Sequence, residues 1–289
     1  MPRGVPNAGF RKTKRFLERT GQMKQSAQVI KFSTPVVNET DEQIAKRLND
    51  RFDILDTLTQ SCVVGDSRSL IVSGPAGLGK SFTVEKTLEQ WDILGERHTI
   101  IKGYVRATGL YKTLYKYRDE GNTVVLDDAD NIFFDDISLN ILKAVCDTTE
   151  QRKVSWLSES RMFDDDTGDN IPRSFEFNGS VIFLTNYDFD EMIARGHRLA
   201  PHLQALVSRS QYIDLSMKST RDYLVRIKQV VGQGMLADLS GREREEVMQF
   251  IQDNASRLRE LSLRMAIKIA AIRRTSSNWR KIASVTCCK

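Results

Sequence analysis

The chain has 289 residues, a net charge of +5 and a composition that suits one large or two ordinary soluble domains. No apolar run approaches the roughly 20 residues of a membrane-spanning helix, and the basic N-terminal stretch lacks the apolar core of a secretory signal, so we expect a cytoplasmic protein without a membrane partner. With four cysteines, no Cys-x-x-Cys pair and three histidines, neither a structural zinc site nor a disulfide framework is expected.

Residues 1–37 are predicted to form an arm, because glycines and prolines recur there without apolar periodicity. Between residues 1 and 31 the arm carries eight basic residues, and its single acid is Glu18. Such a stretch can bind nucleic-acid phosphates and gain free energy by releasing counterions. A solvated arm without a partner is the alternative interpretation.

The next part of the chain begins with a predicted helix and continues with strands and helices in alternation. The helix starts at Thr40 or Asp41, and apolar residues recur along it at helical spacing. Strands are predicted at residues 69–73, 98–105, 123–126, 181–185 and 212–215, and helices at residues 79–94, 110–119, 137–148 and 202–206. This alternation predicts an α/β domain over residues 38–215, with a five-stranded parallel sheet and helices on both faces.

After residue 216 the strand pattern ends and only helical stretches follow. They lie at residues 220–231, 242–254, 258–273 and 278–285. We predict a small all-helical domain over residues 216–289. Cys62 and Cys146 lie in apolar patterns and are expected to be buried, whereas Cys287 and Cys288 are expected in a frayed tail.

Residues 74–81 match the phosphate-binding pattern GxxxxGK[ST] between a predicted strand and a predicted helix. Glycines let the backbone curl until its N–H groups face an anion, and the helix start adds further donors. Lys80 is predicted to contact the β- and γ-phosphates of a nucleoside triphosphate, and the Ser81 hydroxyl to bind Mg²⁺. The residues expected to contact the nucleotide are Gly74, Pro75, Ala76, Gly77, Leu78, Gly79, Lys80, Ser81 and Phe82.

Polar residues follow two further predicted strands, at the sheet edge where parallel α/β proteins bind ligands. Asp127 is expected to hold Mg²⁺, and Asp128 to orient or deprotonate the attacking water. Asn186 can hydrogen-bond the γ-phosphate or that water, and a turn-forming role is its alternative. Acidic residues often follow a strand without any function, so the interpretation of these residues as a second site depends on the presence of the phosphate loop.

In their order along the chain, these motifs resemble those of AAA+ ATPases, over roughly residues 40–275. Residues 74–81 look like Walker A, Asp127 and Asp128 like Walker B, and Asn186 like sensor 1. The resemblance implies ATP and Mg²⁺ as cofactors and ATP hydrolysis as the activity. It also implies a ring-shaped homo-oligomer, which we expect to be a hexamer.

Two arginines extend the resemblance. Arg209, before the last predicted strand, is similar to an arginine finger, whose guanidinium stabilises phosphoryl charge in a neighbouring subunit's site. An ordinary surface arginine is the alternative, with Arg195 and Arg198 as nearby competitors for the role. Arg264 looks like the sensor 2 arginine of the lid and is expected to contact the nucleotide, although a solvated basic helix face explains it nearly as well.

Asp128 departs from the family pattern, because most AAA+ proteins carry glutamate at the second Walker B position. Its side chain is one methylene shorter, so we expect slow hydrolysis or a differently spaced site. Paired aspartates also occur in bacterial replication initiators and helicase loaders of this superfamily, which favours work on DNA. A loader, a clamp loader or a branch-migration motor would fit, and the compact length favours a minimal motor of the kind that a phage encodes.

Residues 151–179 form an insertion in which residues 153–157 and 174–177 are predicted to pair as a hairpin. A hairpin at this place resembles the one used by DNA-translocating members of the family. Its acidic tip argues against phosphate contact, whereas Arg152, Lys153, Arg161 and Arg173 flank it and can contribute. A surface excursion without this role is the alternative.

Protein-threading AAA+ rings place an aromatic loop near the end of the second strand, where this chain has Tyr104. The order of Gly103, Tyr104, Val105 and Arg106 does not match that loop well, and a tyrosine at a strand end is usually packed. Three hypotheses stay open. They are a DNA-associated ATPase for replication or recombination, an ATP-driven remodeller of a protein partner, and a module that uses ATP mainly to assemble.

Overall fold

The structure, a computed structural model, describes residues 39–158, 161–165 and 167–289. Residues 1–37, for which an arm is predicted, lie outside the described part of the chain. Residues Thr40–Lys289 form one compact unit. Among the described helices, none combines the length and the hydropathy that crossing a bilayer requires.

The first part of this unit consists of strands and helices in alternation. Its five main strands are β1 Ser69–Ser73, β2 His98–Lys102, β3 Thr123–Asp127, β8 Ser180–Thr185 and β9 Gln211–Asp214. Its helices are α1 Asp41–Val63, α2 Lys80–Trp91, α3 Ala107–Lys116, α4 Asp136–Val145, α5 Phe189–Ala194 and α6 Ala200–Val207, with a 3₁₀ helix at Asp130–Phe134. Between β3 and β8 lie the short strands β4 Lys153–Ser155, β5 Met162–Phe163, β6 Asn170–Ile171 and β7 Ser174–Glu176.

The five main strands pair in parallel in the order β2-β3-β8-β1-β9, which confirms the predicted five-stranded parallel sheet. Successive side chains of a strand point to opposite faces, so each strand contributes to two cores. Ile71 packs with α3, α4, α5 and α6 on one face, whereas Leu70 and Val72 pack with α1 and α2 on the other. Both faces of the sheet are therefore covered, as the consecutive apolar positions predict.

Four helices follow the sheet: α7 Thr220–Gly232, α8 Gly241–Asp253, α9 Leu263–Thr275 and α10 Trp279–Cys287. They enclose a separate apolar core that includes Ile251, Ala266 and Trp279. This helical part is anchored on α1, where the Gln229 amide donates to the Ala45 carbonyl at 2.7 Å. The boundaries of the two predicted domains stay predictions.

Several predicted element ends differ from the structure. β2 ends at Lys102 rather than at residue 105, because Gly103 turns the chain with φ +92°. The helix predicted at residues 258–273 begins at Leu263, because the Ser262 side chain caps it by accepting from the Met265 N–H. The short helix α5 was not predicted, although Asp188 caps it by accepting from the Glu191 N–H, a spacing that the sequence displays.

The cysteine predictions are right at two positions and wrong at two. Cys62 and Cys146 are buried, as expected. The expectation of a frayed tail at Cys287 and Cys288 is wrong, since both are buried in the helical core. Leu258 pairs with Cys288 in an antiparallel bridge, so backbone hydrogen bonds as well as apolar burial hold the end of the chain.

The insertion contains the predicted hairpin, because β4 and β7 pair with Val154 opposite Phe175. Phe175 packs edge-on against Tyr111 and Tyr115 of α3, with ring centroids 5.0 and 5.3 Å apart. The base of the hairpin is therefore part of the core rather than a free surface excursion. Strands β5 and β6 form a second, smaller hairpin.

Arg152 was expected to be available for a DNA backbone, and this is wrong. Its side chain is buried, with 6% of the residue exposed, and it donates to the carbonyls of Val145 and Gly179 at 3.0 and 2.9 Å. Burial lowers the pKa of the Arg152 guanidinium to about 10. Arg152 therefore joins the base of the insertion to α4, while Lys153, Arg161 and Arg173 are exposed.

Replacing Arg152 by methionine is expected to destabilise the protein by about 2–4 kcal/mol, since two buried carbonyls lose their donors. Urea unfolding measures this change, with exposed Lys153→Met as the control, expected to lie within about 0.5 kcal/mol of the parent. Equal stability of the two variants would contradict the structural role of Arg152.

Candidate nucleotide-binding site

The loop at residues 74–79 has a backbone that only glycine adopts easily. Gly74, Gly77 and Gly79 have φ values of +145°, +74° and +97°, which are strained for residues with a Cβ. Gly79 is the N-cap residue of α2 and contributes no side chain, so the first N–H groups of the helix face the loop. The sequence motif and the backbone together form an anion-binding cradle at a helix N-terminus.

Lys80 is buried, with 6% of the residue exposed, and its ammonium group lies inside the loop. It donates to the carbonyls of Gly74 and Pro75 and, at 2.9 Å, to Oδ1 of Asn186. Burial lowers the pKa of Lys80 to about 8, and the carboxylate of Asp128 is the main opposing influence. The ammonium group has no direct ion pair among the described residues, so a polyanion in the cradle would stabilise its charged form.

Asn186 connects Lys80 to the acidic strand end. Its Oδ1 accepts from Lys80, and its Nδ2 donates to Oδ1 of Asp128 at 2.8 Å. An ammonium group can only donate and a carboxylate can only accept, so these two contacts together determine the orientation of the amide. Three residues that the sequence nominated separately therefore form one hydrogen-bonded chain, Lys80–Asn186–Asp128.

Asp128 has an unusual backbone, with φ +53° in a residue other than glycine. Its N–H donates to the carbonyl of Leu184 at 3.1 Å, and its side chain is exposed at the sheet edge. A left-handed aspartate costs free energy, so the surrounding hydrogen bonds must compensate for it. This conformation turns the carboxylate towards Asn186, away from the direction that a continued strand would give it.

Ser81, which follows Lys80, lies next to Asp127 at the end of β3. The Ser81 hydroxyl donates to Oδ1 of Asp127 at 3.0 Å. Burial raises the pKa of the Asp127 carboxyl, and the hydrogen bond from Ser81 opposes that shift. Because the two oxygens are already in contact, one small divalent cation can coordinate both.

The structure adds three charged residues that the sequence reasoning did not assign to the site. Nζ of Lys102 lies 2.5 Å from Oε1 of Glu85 and 3.7 Å from Oδ2 of Asp127. Asp130 lies beside Thr185, and burial raises the pKa of its carboxyl. Asp130 was visible as a third acid of the same motif, whereas no local pattern indicates the Glu85–Lys102 pair, which joins α2 to the end of β2.

The residues fit a magnesium nucleotide. Within the described ranges, no cluster of three or more histidine, cysteine, aspartate or glutamate side chains is able to hold a metal by itself. Mg²⁺ commonly takes one or two protein oxygens and completes its shell with water and substrate phosphates, which matches Ser81 and Asp127. The cradle of N–H groups and the buried Lys80 supply the complementary phosphate site.

The helical part contacts the phosphate loop directly. The Leu263 N–H donates to the Gly77 carbonyl at 2.9 Å, and a Cβ at Gly77 would lie 2.8 Å from Cβ of Ser262. The exposed Arg264 is close to the same glycine, with its Cγ 3.6 Å from that Cβ position. Phe82 directs a 70% exposed side chain outward, so its contribution to a nucleotide site would come from its backbone.

Arg209 lies at the opposite sheet edge from the loop of its own chain. Its carbonyl accepts from the hydroxyl of Ser69, the first residue of β1, whereas Gly74 follows the last one. A strand of this length spans roughly 13 Å, which separates Arg209 from its own Lys80. Its guanidinium donates to the Ala205 carbonyl at 2.8 Å and lies 3.7 Å from a carboxylate oxygen of Asp147.

The strand order β2-β3-β8-β1-β9, the phosphate loop after β1, the polar ends of β3 and β8 and the helical part that follows give the chain the fold of an AAA+ P-loop domain. A protein of phage T4, described as an uncharacterized 36.7 kDa protein in the nrdC-mobD intergenic region, is 38% identical over 253 residues, which are 86% of this chain and 77% of the relative. The chain belongs to the same family as this phage protein. No model of a protein family matches the chain.

The chain is also similar to solved AAA+ structures. The Thermotoga maritima RuvB Holliday junction branch migration motor is 14% identical with a TM-score of 0.45, over 85% of this chain and 69% of that one. A replication initiator DnaA bound to AMPPCP and single-stranded DNA is 11% identical with a TM-score of 0.43, over 86% and 66%. Identity and TM-score are both low, and no residue role in this chain rests on these proteins.

Substituting alanine for Gly77 is expected to disturb the contact between the helical part and the loop, because its Cβ would approach Ser262 to 2.8 Å. Gly95→Ala is the matched control, since φ is +69° there against +74° at Gly77 and no atom of the described residues lies within 4 Å of the new Cβ. We expect Gly77→Ala to lose about 1–3 kcal/mol more in urea unfolding than Gly95→Ala. Equal losses would show that the overlap is relieved without cost.

Proposed function

We propose that the protein binds and hydrolyses ATP as an AAA+ ring, and that it uses this cycle to act on DNA in replication or recombination. The observation that carries the catalytic part is the chain Lys80–Asn186–Asp128 beside the Ser81–Asp127 pair. We also propose that it acts in the cytoplasm, where ATP is available. The catalytic roles below are proposals for this chain's own residues.

The loop and Lys80 would bind and orient the phosphates, and the magnesium ion, when bound, supplies charge stabilisation. Ser81 and Asp127 would hold that ion. Asp128 would orient the attacking water and accept its proton, while Asn186 keeps the Asp128 carboxylate in position by its hydrogen bond. Because Asp128 reaches one methylene less far than glutamate, we expect slow turnover with ATP binding largely retained.

Arg209 supports assembly into a ring. It lies far from its own loop, so a role in phosphoryl transfer requires the site of a neighbouring subunit. Its ion pair with Asp147 and its bond to the Ala205 carbonyl hold the guanidinium near the surface, where 35% of the side chain is exposed. Head-to-tail contacts of this kind close into rings, and we expect six subunits.

A connection from the acidic strand end to a surface loop supports motor action. The Asn131 side chain accepts from the Val105 N–H at 3.1 Å and donates to the Val105 carbonyl at 2.7 Å. Val105 is flanked by the exposed residues Tyr104 and Arg106, and Tyr104 is 76% exposed. An aromatic ring and a guanidinium on one loop suit the bases and phosphates of a nucleic acid strand.

The exposure of Tyr104 also favours the second candidate, an ATP-driven remodeller of a protein partner. The sequence favoured packing for this tyrosine, whereas its side chain is available to contact a substrate. A threading loop needs such an exposed aromatic residue, and it does not need basic neighbours. Arg106 in this loop, with Lys153, Arg161 and Arg173 exposed on the insertion, makes DNA the better supported substrate.

Purified protein is expected to hydrolyse ATP slowly, and Lys80→Ala is expected to lose nucleotide binding by at least about tenfold because the loop loses its buried cation. The measurement is ATP turnover and fluorescent-nucleotide binding without DNA, with single-stranded DNA and with double-stranded DNA. Stimulation that falls steeply with salt supports DNA as substrate. If Lys80→Ala binds and hydrolyses ATP like the parent, the proposal is wrong. If the parent assembles on adding ATP but does not hydrolyse it, a module that uses ATP mainly to assemble is favoured.

Arg209→Ala is expected to lower ATP turnover by about 10³-fold or more while ATP binding stays intact. An equal mixture of Arg209→Ala and Lys80→Ala is expected to regain activity, because some interfaces combine an intact loop with an intact arginine. The matched control is Arg198→Ala, which removes an exposed arginine before α6. If the mixture stays inactive although both variants assemble, Arg209 does not act across the interface.

A further inference from the structure

Arg226, on α7 of the helical part, is a buried arginine that forms no ion pair with an acidic residue in the described part of the chain. The residue is 7% exposed, and its guanidinium carbon lies 3.5 Å from the ring centroid of Phe52 on α1. Its Nε is buried and lacks a hydrogen-bond partner within the described residues. Burial lowers the pKa of the guanidinium to about 10, and no carboxylate among the described residues opposes that shift.

Two other enclosed arginines in the described part of the chain, Arg152 and Arg273, have partners. Arg152 is buried to the same degree but donates to two carbonyls. Arg273, which also lies in the helical part over an aromatic ring, pairs with Glu243 and Glu246. An unpaired charge in the interior is costly, so a native protein that retains one commonly uses it to bind a ligand of opposite charge.

The nearest anion site is the phosphate loop itself. A terminal nitrogen of Arg226 lies 3.9 Å from the Cβ position of Gly79, and Cδ1 of Leu263 lies 3.5 Å from it. Gly79 is the N-cap of α2, where the helix adds N–H donors and positive potential. Arg226 therefore reaches the helix start from α7, whereas Arg264 approaches the loop at Gly77 from α9.

We propose that Arg226 binds a phosphate group of the nucleotide held at residues 74–81, and that it thereby couples α7 to nucleotide binding. This inference rests on the proposed ATP-binding function and adds a second arginine of the helical part to the site. The contact is a charge-assisted hydrogen bond to a phosphate oxygen, which a guanidinium makes well. The Phe52 ring holds the guanidinium plane in place through a cation–π contact.

Arg226→Met tests the proposal, because it removes the charge and keeps an apolar body on Phe52. We expect the nucleotide-free variant to melt at or above the temperature of the parent, since an uncompensated buried charge is gone. Its affinity for fluorescent ADP and ATP analogues is expected to fall at least about tenfold, and the rise in melting temperature on adding ATP to shrink accordingly. Arg226→Lys, which retains a charge, is expected to recover part of the affinity.

Arg273→Met is the matched control, since it also removes a stacked arginine from the helical part but leaves carboxylates behind. We expect it to lower the melting temperature and to bind nucleotide like the parent. Glu18, the single acid of residues 1–31, lies outside the described residues and is the alternative partner to test, so Glu18→Gln is measured beside it. A Glu18→Gln variant with the phenotype of Arg226→Met would assign Arg226 to that carboxylate and overturn the proposal.

The outcomes separate this inference from the proposed function. If the parent binds no nucleotide, the proposed function and the inference both fail. If the parent binds nucleotide, Lys80→Ala does not, and Arg226→Met binds like the parent, the inference alone fails. A variant that loses melting temperature and affinity in proportion would assign Arg226 a structural role and would also overturn the inference.

Discussion

Ser73 of β1 lies opposite Thr185 of β8, and Asp127 of β3 lies opposite Leu184 of the same strand, so three neighbouring parallel strands end at one level. This register brings the residues that follow the strands to a common edge. The hydrogen-bonded chain Lys80–Asn186–Asp128 depends on it, because its members come from three separate segments. A slip of one residue in any of these strands would turn the side chains of that strand to the opposite face and break the chain.

The contact between the phosphate loop and the helical part is a second constraint on the structure. It depends on a glycine at position 77, where a side chain would not fit. At Gly77 the loop accepts a backbone hydrogen bond from Leu263 and leaves no room for a Cβ beside Ser262. The same glycine has a positive φ that allows the loop to curl around an anion. Gly77 thus contributes both to the curl of the loop and to its contact with the helical part, so a nucleotide bound in the loop would be linked to the position of the helical part through the same backbone.

Two buried cations, Lys80 and Arg226, face the loop without a direct ion pair among the described residues. Burial lowers the pKa of both groups, which means that keeping them charged reduces the stability of the folded protein. A protein selected for stability alone would replace them by apolar side chains. Both cations are explained if the negative charge of a bound nucleotide compensates them. The proposals that Lys80 and Arg226 bind phosphate groups both rest on this argument.

The sequence by itself determined the alternation of strands and helices, the parallel sheet and the phosphate loop, because each rests on local periodicity or on a short motif whose glycines have few other uses. It also nominated Asp127, Asp128 and Asn186 as strand-end residues. Only the tertiary structure decided that Arg152 is buried, that Tyr104 is exposed, that Cys287 and Cys288 belong to a core, and that Lys102 and Arg226 approach the site. Burial and charge pairing depend on segments distant in sequence, and no local pattern encodes which of them will meet.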